Sequence, residues 1–138
     1  MARKDKSMRL FKASFCLAVF AVAMSAQDDA AFQKWMKTVG GQMGALRKME
    51  MKTGPEAVAA AEKLSASFAS VGTYFTGKAD DAAKMAAEAK AASDDLMAAA
   101  KAGDNDKAGA AFKTIGGSCK GCHDAHREKV GENMYKIK

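Results

Sequence analysis

From residue 27 onward the sequence predicts an all-α fold, an antiparallel up-down-up-down four-helix bundle. The composition there is rich in Ala, Met, Lys and Glu, with one proline and few aromatic or β-branched residues, and this favours helix. Apolar residues recur at alternating steps of three and four, the seam of helices packed nearly antiparallel. Turn-forming clusters interrupt that rhythm at "KTGPEA", "TGKADD" and "AGDNDK", and connections this short oblige neighbouring helices to run antiparallel.

Residues 1–26 stand apart from the bundle. "MARKDKSMRLFK" is basic, "ASFCLAVFAVAM" is apolar, and small residues precede a switch to acidic ones, the layout of a signal peptide with cleavage expected after Ser25 or Ala26. The apolar run falls short of the roughly 20 residues a membrane anchor needs. Cys16 lies inside it and is expected to leave with the peptide. The segment holds five basic residues (Arg3, Lys4, Lys6, Arg9, Lys12) and one acidic (Asp5), so residues 27–138 carry 17 basic against 15 acidic side chains, a net of +2. The basic character of the whole chain belongs mainly to the leader, and a nucleic-acid surface is not expected. Export to the periplasm, with no membrane attachment after cleavage, is.

The first helix is placed near 28–52 on the seam Phe32, Met36, Val39, Met43 and Leu46. Gly54 suits a left-handed cap, and Pro55 with Glu56 the first turn of a second helix near 56–76, whose seam is Ala61, Leu64, Phe68, Val71 and Phe75. Gly77 then marks a turn, with Asp80 or Asp81 as the N-cap of a third helix near 80–102. Its seam is Met85, Ala89, Ala92, Leu96 and Ala99. Gly103 ends that helix and Asp104 caps the fourth, near 104–134, on the seam Phe112, Ile115, Cys119, Cys122, His126 and Val130. Seams made so largely of alanine bury little area, because apolar stabilisation of about 25 cal/mol per Å² comes mostly from large side chains. A buried macrocycle would supply the missing apolar volume.

Within the fourth helix, Cys119-Lys120-Gly121-Cys122-His123 is C-x-x-C-H, the attachment signature of c-type haem. Thiols one helical turn apart can form thioethers with the two vinyl groups on one edge of the ring, and the adjacent His123 then presents its imidazole to the iron. A structural zinc site would need four ligands closing a tetrahedron. Only Cys119, Cys122, His123 and His126 are at hand, on about two turns of one helix. A redox dithiol would need a strand–turn–helix setting, and no strand is apparent. Once exported, a bare C-x-x-C would tend to oxidise, and closing so short a loop would do little as a staple.

On these residues the chain resembles the cytochrome c′ family, the class II c-type cytochromes, from about Gln27 to Lys138. The most specific part is "AAFKTIGGSCKGCHDAHREK", which is similar to that family's last helix. The resemblance implies a four-helix bundle enclosing one covalent haem c, with Cys119 and Cys122 as thioether ligands, His123 as the proximal iron ligand and Arg127 as the basic residue of the proximal pocket. His126 stands where the family usually has an aromatic residue. It leaves the helix on the same side of the ring as His123, so it is expected to pack there or face a propionate rather than bind iron.

The family divides at the distal face. Five-coordinate members carry an apolar residue over the iron and bind nitric oxide or carbon monoxide; a low-spin branch places a methionine there and carries electrons. "KWMK", followed by glycine and a further methionine, resembles the low-spin branch, with Met36 at the ligand position. With a fourth helix ending near 134, His123 lies about 16 Å from that end, Met36 about 12 Å and Met43 about 22 Å from the adjacent start of the first helix. A periplasmic electron carrier with His/Met ligation is therefore the expected function, and the gas-binding cytochrome c′ the alternative. Gly40, Gly41 and Gly44 call for a reason inside a helix. Close approach to a macrocycle is one; packing of helix one in a homodimer, which the family often forms, is another. Trp35 is expected at the haem edge or that interface. Lys34, Lys37, Lys120 and Lys129 could steer a redox partner protein. No acid–base pair, nucleophile constellation or phosphate loop is present, so an enzyme is not expected.

Overall fold

The computed structural model describes residues 29–129 and 135–137. Of the described residues, 29–33 are helical and fall in a first unit, and those from Lys34 onward fall in a second. The leader and its cleavage position lie outside the described residues, as does Val130. No helix among the described residues is long and apolar enough to cross a membrane.

Four helices build the fold. The described part of α1 ends at residue 48; α2 is Pro55–Phe75, α3 is Asp80–Ala102 and α4 is Asn105–His126. Gly54, Gly77 and Gly103 all have positive φ (86°, 77° and 70°), which glycine adopts without the Cβ penalty other residues meet. Gly103 is the left-handed C-cap of α3, as the sequence predicts. Gly54 instead precedes α2, because α1 stops four residues before the predicted 52. Asp104 caps α4 by accepting from the Lys107 N–H at 3.0 Å. Neither Asp80 nor Asp81 caps α3: both sit inside its first turn, where a carboxylate favours the positive end of the helix dipole, and the cap is Ala79.

Helix α4 ends eight residues before the predicted 134. Arg127 is already extended (φ −113°, ψ 129°). Its segment, β1 (Arg127–Lys129), pairs antiparallel with β2 (Tyr135–Ile137) in the register Arg127↔Ile137, Glu128↔Lys136 and Lys129↔Tyr135. Lys136 Nζ meets Glu128 across the pair at 3.3 Å. Half of the residues after His126 are charged, the first three of them in a row, which gives a continued helix no apolar face in its next turn, so strand pairing prevails over local helical preference.

Cross-helix contacts fix the antiparallel order. Ser65 Oγ on α2 donates to Asp94 on α3 at 2.6 Å, and Lys90 Nζ completes the group at 2.8 Å. Nearer the start of α3, a Cβ at Gly121 of α4 would stand 3.6 Å from Met85 Sδ. The link from α1 to α2 lies against the α3–α4 turn: Gly54 N donates to Ala100 O at 3.2 Å, and Lys52 N to Asn105 Oδ1 at 2.8 Å. The core cluster joins Val39, Met43 and Leu46 of α1 to Leu64 and Phe68 of α2, Leu96 of α3 and Ile115 of α4. Eleven of the 21 buried apolar residues described are alanines, so the core is as thin as the composition predicts.

Candidate functional site

The end of α4 meets the end of α2 and the start of α3. Here the structure places Cys119, Cys122 and His123 on successive turns, all half-buried, with Arg127 just beyond the helix. Cys119 packs against the core cluster, and both thiols are free. Burial first, and then the neighbouring Cys122, pushes the Cys119 thiol up; burial and then the Asp81 carboxylate push Cys122 up. Both therefore stay protonated at neutral pH. A catalytic dithiol is activated by the opposite shift, so the redox-dithiol reading loses its physical basis. Among the described residues no group of three or more His, Cys, Asp or Glu is arranged to hold a metal ion.

His123 is held below the usual histidine range, chiefly by burial and then by the Arg127 charge, with Asp124 opposing. Its imidazole is thus neutral near pH 7, the form that can bind a metal. Arg127 Nη1 lies 3.3 Å from His123 Nδ1. A guanidinium only donates, so Nδ1 accepts and the ring proton sits on Nε2.

His126 is engaged by α2 and α3. Its Nε2 meets Asp81 Oδ2 of α3 at 2.7 Å, and its ring stands 6.0 Å from that of Phe75 at the end of α2. Phe75 in turn meets Tyr74 edge-on at 5.1 Å. The Asp81 carboxyl is held below the ordinary aspartate range, mainly by the hydrogen bond from His126. Asp81 and Met85 are site residues that the sequence did not single out. Their signal was the spacing of four, which puts both on one face of α3, but Asp81 read equally well as a helix-start residue.

The remaining candidates are more dispersed. Met36 and Trp35 are half-buried on α1, and Met36 packs on the same core cluster as Cys119; Met43 lies within that cluster at 8% exposure. Above Gly40, Gly41 and Gly44 no described atom lies within 4 Å of an added Cβ. Lys34 and Lys37 are exposed, whereas Lys120 is paired with Asp124, which reduces its use as a steering charge.

Residues 77–127 match the family model described as Cytochrome C′. Over 34 residues, 25% of this chain, the sequence is 65% identical to a cytochrome c′ of Alcaligenes xylosoxydans xylosoxydans. Over 48 residues, 35% of this chain, it is 50% identical to a cytochrome c′ of Pararhodospirillum photometricum. The matches span 27% and 35% of those two proteins. No solved structure gives a significant match. These matches support the cytochrome c′ family for this chain, without distinguishing its low-spin branch. Cytochromes c′ bind a covalent haem c with its iron, and the residues here fit that group. Two unoxidised, protonated thiols stand one turn apart at the surface of a thin core, and a neutral imidazole follows the second.

Proposed function

We propose that the chain is an exported, periplasmic monohaem cytochrome that carries electrons, with Cys119 and Cys122 holding haem c, His123 as proximal ligand and Met36 as distal ligand. The haem supplies one-electron exchange at its iron. Cys119 and Cys122 would hold it by two thioethers, and burial keeps the His123 imidazole neutral. To offer Nε2, His123 would carry its proton at Nδ1, where it would face the Arg127 guanidinium as a second donor, so Arg127 would turn away from that contact.

The observation that carries the Met36 assignment is the position of the α1–α2 link. Because that link lies against the α3–α4 turn, heights along α1 and α4 can be measured from this common end. Met36 stands about 18 Å from residue 48, Cys119 about 21 Å and His123 about 27 Å from Asn105, whereas Met43 stands only about 8 Å from residue 48. This replaces the measurement from a helix end near 134, and it still favours Met36 over Met43. No catalytic residues are assigned; redox partner proteins are the expected company.

A second reading, the five-coordinate gas binder, is favoured by the name cytochrome c′ that both relatives carry. One experiment tests both. Mass spectrometry of chain matured with a c-type assembly system is expected to show one covalent haem that survives acid–acetone extraction. Its ferric electron paramagnetic resonance is expected to be low-spin, and Met36→Ala to turn it high-spin, lower the reduction potential and speed carbon monoxide binding. A wild-type spectrum already high-spin and unchanged in Met36→Ala replaces the carrier with the gas binder. Extractable haem, or a Cys119–Cys122 disulfide, removes both.

A further inference from the structure

The last turn of α4 carries His123, with Cys122 just before it, and the Arg127 guanidinium reaches back to His123. Within α4 its C-terminal closure is the Arg127 N–H bonded to His123 O. Terminal turns of this kind fray unless something outside the helix fixes them. Two residues of α3 reach this one. Met85 Sδ lies beside Gly121, and Asp81 binds His126. The contacts fall at 121 and 126, so they bracket Cys122 and His123 from one side, while Phe75 of α2 backs the His126 ring.

From this geometry we propose that Asp81 and His126 are a positioning pair: by tying the last turn of α4 to the first turn of α3, they set the orientation in which His123 presents its imidazole. The inference rests on the assignment of His123 as the axial ligand. A phenyl ring at 126 would stack on Phe75 and have no donor for Asp81, whereas an amide would donate and not stack; imidazole does both. The His126 side chain is only 18% exposed while Asp81 is 58% exposed. A carboxylate this open adds little to stability, so the pair acts on orientation more than on folding.

The test uses the full chain loaded with haem. Asp81→Ala, His126→Phe, their double variant and His126→Gln are compared by ferric electron paramagnetic resonance, with covalent haem content and helicity measured on each. The expected result is a shift in g values shared by Asp81→Ala and His126→Phe, no further shift in the double variant, and g values near wild type in His126→Gln, which keeps a side-chain donor. Wild-type g values in the loaded single variants, or shifts that add in the double variant, overturn the pair while leaving the haem assignment standing. A wild-type chain without covalent haem overturns the function proposed above and this inference with it. If Asp81→Ala loses helicity, His126→Gln against His126→Phe decides, since they differ in whether the donor is kept.

Discussion

The two halves of α4 share one apolar seam and meet different surroundings. In the first half Ala108, Ala111 and Ile115 are buried, Asp104 caps the start, and Lys52 spans the turn with its amine 4.9 Å above the Phe112 ring. In the second half the seam continues through Cys119, Cys122 and His126, and none of these is buried. The first half is held by packing and the second by individual polar contacts: Asp81 to His126 and Arg127 to His123. Alternation of three and four is therefore a statement about which face a residue occupies. It does not say that the face is closed by protein.

Breaking the covalent attachment should have the largest effect. Cys119→Ser/Cys122→Ser is expected to lose all covalent haem and to melt well below the loaded protein, because the alanine-rich core stabilises the bundle weakly alone. Leu96→Ala in the closed region serves as the scale, at about 2–5 kcal/mol for a fully buried leucine. Thermal melts followed by circular dichroism compare them. A thiol-free chain that melts as high as the loaded protein would show that the closed half suffices.

A smaller effect is expected in acid. Asp94 is held below the ordinary carboxylate range first by Lys90 and then by Ser65, Asp104 by the Lys107 N–H, and Asp81 by His126. Each folded value lies below the unfolded one, so the stability these groups add is present above about pH 4 and is lost as pH falls through the folded values. Melts of the thiol-free chain should begin to fall below about pH 6.5, where the unfolded state protonates His123 first, and fall further below about pH 4, that second fall being less steep in Asp94→Ala/Asp104→Ala. An unchanged slope in that variant would move the acid sensitivity elsewhere.

The smallest effect concerns α1. Glycine within a helix costs about 0.5–1 kcal/mol against alanine, and open space surrounds Gly40 and Gly41. Gly40→Ala/Gly41→Ala should raise the melting temperature of the thiol-free chain. If those glycines admit a macrocycle or a second copy, the haem-loaded protein should not share the gain. Equal gains in both forms would leave the glycines without either role.

Sequence alone determined the four helices, their antiparallel order, the caps at Gly103 and Asp104, and the attachment motif. Local rules govern all of these: periodicity, turn chemistry, and side chains adjacent along one helix. The last turn of α4 was misjudged, because whether Arg127–Lys129 continues a helix or pairs with Tyr135–Ile137 depends on a partner strand and not on local propensity. Asp81 and Met85 were missed for a related reason. Their spacing marks a face of α3, but only packing says that this face meets α4 at 121 and 126. The departure at His126 was visible in the sequence as a histidine in an aromatic position. Its partner, 45 residues earlier, became visible only when antiparallel packing brought the two helix ends together.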